Sequence, residues 1–334
     1  MPDGNLSSPA FSDFTYGDFL ASPDFLSIGH ITHDIVNGGI ILGGPAYYAG
    51  LTAKKLGLKT GIVTSVGNDF IGSPELMGIG VVNVPASQTT TFKNTYIDTN
   101  HGSVRKQIVL AVASRIGAAN IPGSYREAKV CYVCPVANEL SSDVLEAISG
   151  SLIGIGLQGW MRDWNRKGEV FASIREDLRD LIPLADMVIL SDEDIKNLDE
   201  ALIKGYIELA NIFILTRGRD GSSLFVKGRE YQIDAFPALE VDPTGAGDVY
   251  GASFLIKYYE TGNPVRAAHF ASIVASFVVE REGTAGIPDI GSIDEREREY
   301  VKMLELGIDG QILTTPSIDI DDSSAMISAE DTMP

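Results

Sequence analysis

Asp186-Met-Val-Ile-Leu190 decides the fold class. A strand with one wet face alternates apolar and polar residues, whereas this run, after its opening acid, does not. Continuous apolar runs of this length belong to parallel strands buried on both faces. Runs of the same kind occur outward from it at Phe25–Gly29, Gly61–Val66, Val130–Cys134, Leu152–Leu157 and Ile212–Thr216. Helical patterns stand between and after them, at Ala46–Leu56, Ser142–Ile148, Val170–Ile182, Asp192–Leu198, Ala246–Glu260 and Val265–Glu280. Parallel neighbours need a crossover, so this alternation predicts an α/β fold: a doubly wound, mainly parallel sheet flanked by helices, with right-handed connections.

One region breaks the rhythm. Thr89–Ile97 and Val104–Ala111 are strand-like and are joined by Asp98-Thr-Asn-His-Gly-Ser103, which has turn chemistry and no helix. They are expected to form an antiparallel hairpin, a small β-sheet inserted at about 89–111. Such an insertion is a lid over a cleft, or an edge extension or dimer contact, and these readings do not exclude one another. Residues 1–22 are rich in Ser, Pro, Asp and Gly and read as a mobile arm. Residues 306–334 carry Asp319, Asp321, Asp322, Glu330 and Asp331 without a basic residue and read as an acidic tail. The main domain is expected over 23–305.

The chain has 334 residues, with 26 Lys and Arg against 45 Asp and Glu, a net charge of −19. That balance argues against a nucleic-acid backbone or an anionic membrane as partner, yet leaves room for a small anion in a local site. Two cysteines make no disulfide framework, so a reducing compartment, the cytoplasm, is expected. Residues Ile35–Ala53 carry no formal charge, but Gly38, Gly39, Gly43, Gly44, Gly50 and Pro45 interrupt them. A buried, turn-rich segment fits that pattern better than a membrane-spanning helix.

The chemistry concentrates in Val241-Asp-Pro-Thr-Gly-Ala-Gly-Asp248, directly before a helical pattern. Gly245 and Gly247 allow a tight turn and leave amides uncovered at a helix N-terminus, where the helix dipole also favours an anion. Asp248 falls in the first helical turn beside those amides, where a carboxylate can take a proton from an attacking hydroxyl. Read alone, the octapeptide is equally a glycine-rich turn with Asp as a helix cap.

Asp242-Pro-Thr-Gly-Ala-Gly-Asp248 resembles the C-terminal signature of the ribokinase-like, or PfkB, carbohydrate kinases. Other segments match that family in order: Ser27-Ile-Gly-His-Ile-Thr-His-Asp34, Gly43-Gly-Pro-Ala-Tyr-Tyr-Ala-Gly50, Val66-Gly-Asn-Asp69 and Leu215-Thr-Arg-Gly-Arg-Asp-Gly221. The resemblance spans roughly Phe25 to Asp289. It implies an ATP-dependent kinase of a small sugar or polyol, with Asp248 as general base and the amides of Gly245, Ala246 and Gly247 as anion hole. It further implies Asp34 and Gly44 at the substrate hydroxyls, and Thr216, Gly218 and Gly221 at the nucleotide. Asp242 and Thr244 match a monovalent-cation site, K⁺ in this reading, to which Arg281 and Gly283 would add carbonyls. Mg²⁺ would arrive with ATP. The chain would act as a monomer, or as a homodimer through the lid.

Two segments depart from the family. Ser191-Asp-Glu-Asp194 stands where Asn-x-x-Glu often helps hold Mg²⁺; Asp194 can still serve, while Ser191 with Asp194 also reads as a helix cap. Gln158-Gly-Trp-Met-Arg162 stands where many members carry Asp-x-Asn-x-Arg, so Arg162 reads as a phosphate or substrate clamp, or as a surface ion pair. With Arg105 and Gln107 of the hairpin, this form resembles the inositol-kinase-like branch. The altered 191–194 segment also allows a catalytically silent scaffold with the kinase fold. Cys131 and Cys134 are spaced like ligands but fall three apart on a strand, hence on opposite faces, and read as packing. His30 and His33 lack a zinc pattern. There is no GxxxxGK[ST], and Gly38–Gly43 lacks dinucleotide-binding spacing.

Overall fold

The first strand and its neighbours set the frame. From the N-terminus the chain forms β1 (Phe25–Ile28), β2 (Thr32–Val36), β3 (Gly39–Gly43), α1 (Pro45–Lys55), β4 (Thr60–Thr64) and β5 (Gly80–Asn83). A hairpin follows, β6 (Thr90–Thr99) and β7 (Gly102–Ala111), then β8 (Val130–Val133), α2 (Asp143–Ala147) and β9 (Leu152–Gly156). A second hairpin comprises β10 (Arg162–Trp164) and β11 (Val170–Ala172). The C-terminal half runs α3 (Leu178–Leu181), β12 (Met187–Ser191), α4 (Asp192–Ile195), α5 (Glu200–Leu209), β13 (Ile212–Thr216), β14 (Ser222–Val226) and β15 (Arg229–Ile233). It closes with α6 (Ala246–Thr261), α7 (Pro264–Val278) and α8 (Ile290–Glu305). The computed structural model describes residues 22–99, 102–196 and 198–305; the expected arm, save Ser22, and the acidic tail lie outside them.

Nine strands make the main sheet, in the order β15-β14-β13-β12-β9-β8-β1-β4-β5. All its pairings from β13 to β5 are parallel, and β14 and β15 add an antiparallel edge. Both faces are covered, as the unbroken apolar runs require. Met187 and Ile189 join the layer of α1, α6, α7 and α8, whereas Val188 and Leu190 join that of α2, α3 and α5. The same alternation sends Cys134 to the first layer and Cys131 to the second, so the pair does not chelate. Burial pushes the Cys131 thiol up to about 12.

A separate four-stranded sheet has the order β3-β2-β6-β7. The hairpin β6–β7 was legible in the sequence; its partners β2 and β3 were not, because Ile35–Ala53 read as a buried turn. Ile40 and Ile41 of β3 are in fact 48% and 43% exposed. The helix expected over Val170–Ile182 is also corrected. Its first three residues are β11, and only Leu178–Leu181 is α-helical. Gly168 closes the preceding turn at φ 77°, the Asn165 side chain accepts the Lys167 and Glu169 amides, and the Gly168 carbonyl accepts the Val109 amide at 2.8 Å. Antiparallel pairing of Val170–Ala172 with Arg162–Trp164, across a turn docked on β7, thus overrides the local helical pattern. The helix expected over Asp192–Leu198 stops at Ile195.

Helix α6 lies close on the sheet because glycine faces it. A Cβ on Gly251 would stand 2.6 Å from the Tyr132 hydroxyl, and one on Gly154 would stand 2.4 Å from Leu255 Cδ1. This close approach fixes the height of the α6 N-terminus over the carboxyl ends of the parallel strands, where open α/β sheets bind ligands.

Candidate active site

Gly245 caps α6 in the left-handed conformation, φ 81°, without a side-chain cap. The intrahelical ladder first reaches Val249, whose amide donates to the Gly245 carbonyl at 2.9 Å, which places the Gly247 amide ahead of it at the open N-terminus of the helix. Gly247 is exposed and Asp248 half-buried in that turn. The Ala246 amide is different: it donates to the Pro243 carbonyl at 3.2 Å and reaches an anion only by giving that bond up. Asp242 ties the turn down. Its carboxylate accepts the Thr244 amide at 3.0 Å and the Gly283 amide at 3.2 Å, which joins the turn to the segment after α7. Asp242, Thr244 and Gly283 are therefore together, while the Arg281 guanidinium turns to the Ala285 carbonyl.

Asp34 comes from the small sheet. It is 8% exposed on β2, and Gly43 across the strand pair leaves room for it: a Cβ there would stand 2.3 Å from Asp34 Oδ2. The neighbouring Gly44, at φ 96°, caps α1 and accepts the Tyr47 amide at 3.1 Å. Between the two halves stands Tyr48, a residue that sequence reading missed. Its ring lies against Gly245, and its buried hydroxyl has no hydrogen-bond partner among the described residues. Burial, then the charges of Asp242, Asp248 and Asp34, hold the phenol far above its ordinary pKa, so it stays protonated. The clue was present in the sequence, since Tyr48 falls one helical turn after Gly44.

The residues expected at the nucleotide lie at the ends of β12 and β13 and in the turn that follows. Thr216 pairs in register with Ser191, and Gly218 and Gly221 carry the turn into β14 at φ 53° and 77°. Ser191 caps α4 through the Glu193 amide at 3.2 Å. Asp194 is no part of that cap. It pairs with Arg162 at 3.5 Å, with side chains 13% and 11% exposed, and accepts the Gln158 side-chain amide at 3.3 Å. Arg162 thus forms an ion pair, but not a surface one. Arg105 lies on β7 opposite Tyr96, while Gln107 donates to Asn94 across the strands at 3.0 Å. Of the tryptophans, Trp160 is buried with Nε1 on the Leu140 carbonyl, and Trp164 packs with Phe92, Val136 and Ala137.

The small sheet is anchored by His30, which is fully buried. Its Nε2 faces the Ser114 carbonyl at 2.9 Å and so carries the proton, and its Nδ1 takes the Thr90 hydroxyl at 2.7 Å. Beneath it, the Glu139 carboxylate accepts the amides of His30, Val136 and Ala137 at 2.7–3.1 Å. Glu139→Ala would strand those donors, at an expected cost of at least about 2 kcal/mol, read from denaturant unfolding. A loss under about 0.5 kcal/mol would mean that water replaces the carboxylate. His33 stacks on Phe70 and accepts the Ile71 amide, and burial holds its imidazole below the ordinary 6.5. Below pH 6.5 the unfolded chain takes up a proton that the folded chain refuses, so His33 lowers stability as pH falls from there towards its folded value. His33→Gln is expected to flatten that part of the stability–pH curve; an unchanged slope would remove His33 from it.

No group of three or more His, Cys, Asp or Glu among the described residues could hold a metal alone. One carboxylate, Asp194, together with phosphate oxygens and water, is a donor set that suits Mg²⁺. Among the described residues no helix is long and apolar enough to cross a membrane.

The pattern described as "pfkB family carbohydrate kinase" matches residues 41–290. A nucleoside kinase of Methanothermobacter thermautotrophicus is 28% identical over 76% of this chain and 84% of its own. Among solved structures, a pyrophosphate-dependent kinase in the ribokinase family, complexed with a pyrophosphate analog and myo-inositol, superposes with a TM-score of 0.67. It is 19% identical and is covered over 99% of its chain, against 81% of this one. Arabidopsis thaliana ribokinase, complexed with ribose and ATP, gives a TM-score of 0.62 at 19% identity, with 98% of it and 82% of this chain covered.

Proposed function

This chain belongs to the pfkB family of carbohydrate kinases, phosphotransferases with an alcohol acceptor, and from that premise we propose that it moves the γ-phosphate of ATP to a hydroxyl of a small sugar or polyol. The observation that carries the reading is Asp248, half-buried in the first turn of a helix whose left-handed glycine cap leaves the Gly247 amide exposed beside it. Asp248 takes the proton of the attacking hydroxyl, and the amides of 245–247 hold charge developing on the transferred phosphoryl group. Asp34, acceptor-only and fixed against Gly43, orients acceptor hydroxyls. The turn carrying Thr216, Gly218 and Gly221 borders the nucleotide, and Arg105 and Arg162 supply positive charge. Mg²⁺, when bound with the donor, offsets phosphate charge, with Asp194 as its protein carboxylate. Asp242 and Thr244, with the carbonyls of Arg281 and Gly283, are the K⁺ positions in this reading. The β6–β7 sheet excludes water from the reaction. Its exposed β3 edge is where a second copy would pair, and the buried free thiols suit a reducing cytoplasm.

The test is product release from purified protein with Mg-ATP or Mg-pyrophosphate, with and without K⁺. The acceptor panel holds myo-inositol, ribose, fructose, 2-keto-3-deoxygluconate, adenosine and cytidine. Acceptor-dependent turnover is the expected result. Donor binding without turnover on any acceptor would move the substrate outside the panel, and absence of both would overturn the reading in favour of a silent scaffold.

A further inference from the structure

Arg162 and Asp194 suit opposite ligands, a phosphate and a metal ion, yet here they hold each other. Arg162 begins β10, beyond the turn after β9, and Asp194 lies in α4 after β12, a neighbouring strand of the sheet. The Nη2–Oδ1 separation is 3.5 Å, and the Gln158 amide stands 3.3 and 3.5 Å from the two carboxylate oxygens. A full-strength charge-assisted bond is about 2.7–2.9 Å long. These contacts sit at the outer limit, so the pair offsets the two charges without a full-strength bond between them. With side chains only 11% and 13% exposed, neither charge is well served by water if its partner leaves.

We propose that this pair selects the phosphoryl donor as its metal complex by exchanging partners: donor phosphate takes Arg162 while the divalent cation carried on those phosphates takes Asp194. The inference rests on the kinase reading above. A metal-free donor that captured Arg162 would leave Asp194 unpaired beside phosphate oxygens. A free cation at Asp194 would face the arginine. Only the complex replaces both charges in one step, so each half of the donor is rejected by the residue meant for the other half. No covalent bond changes in this exchange.

The coupling is reciprocal, which makes it measurable without turnover. Wild type is expected to bind Mg-ATP and to bind Mn²⁺ alone, or ATP in EDTA, far more weakly. Arg162→Gln should gain about tenfold in affinity for Mn²⁺ alone, followed by water-proton relaxation, and Asp194→Asn about tenfold for ATP in EDTA, followed by calorimetry. Unchanged affinities in both variants, with wild type still binding Mg-ATP, overturn the proposal and leave the kinase reading standing. Failure of wild type to bind either Mg-ATP or Mg-pyrophosphate overturns both. Should a single variant fail to fold, R162Q/D194N removes both charges of the pair together. Its preference for Mg-ATP over ATP should fall about tenfold, and a retained preference overturns the exchange.

Discussion

Asp248→Asn is expected to lower kcat by about 10²–10⁴-fold, the usual worth of a general base, with the melting temperature preserved. The substitution keeps the shape and one acceptor oxygen of the side chain, so the first turn of α6 loses little. What disappears is the capacity to hold a proton. A general base acts on the hydroxyl during attack rather than on the resting substrate, so the loss should fall on kcat, with the KM of donor and acceptor little changed. Steady-state kinetics on the acceptor found by the panel, beside a thermal melt, decides it. Turnover within about threefold of wild type would remove Asp248 from proton transfer, since general-base variants lose far more.

Gly245→Ala should damage both stability and activity, for two separable reasons. Gly245 sits at φ 81°, where a Cβ costs about 1–2 kcal/mol. The added Cβ would also stand 2.3, 2.4 and 2.6 Å from three ring atoms of Tyr48. That ring is 1% exposed, so it has nowhere to swing, and such overpacking costs a further ~1–3 kcal/mol. If the turn yields instead of the ring, the amides at the α6 N-terminus move, and a displacement of about 1 Å at reacting groups costs on the order of 10²-fold in rate. Combining Gly245→Ala with Tyr48→Ala relieves the overlap but not the backbone strain. A double-mutant cycle on unfolding free energies should therefore show coupling of about 1–3 kcal/mol. Additive effects would show that the ring does not support the turn.

The parallel sheet and the signature turn were readable because their signals are local. An uninterrupted apolar run reports burial on two faces, and glycines before a helix report a tight entry. The pairing of Arg162 with Asp194 was not readable, because the partners are 32 positions apart and meet only when β9 and β12 become neighbours. Each residue alone suggested a ligand; together they first satisfy each other. Tyr48 escaped notice because an aromatic in a helix next to glycines looks like ordinary core until its hydroxyl is found without a partner among the described residues. Val170–Ala172 misled for the opposite reason: its neighbours carry a helical pattern, but β10 offered it an antiparallel ladder.

The small sheet has a mechanical consequence that follows from how it is threaded. Two separate stretches of chain build it, one between β1 and α1 and the other between β5 and β8, so the backbone crosses to and from the main sheet at four places. A flap on two threads swings freely and is freed by one cut; a plate tied at four points can only tilt. Two of the ties are short, Gly44 alone between β3 and α1 and the three-residue His30 corner between β1 and β2, and the latter is further held by its bonds to Thr90 and Ser114. The pairing of β2 with β6 also joins Thr32–Ile35 to Thr90–Lys93 across β4 and β5, so closing the plate carries the loop-closure cost of the whole intervening stretch. The small sheet is thus a plate held at four points and not a flap on a single hinge.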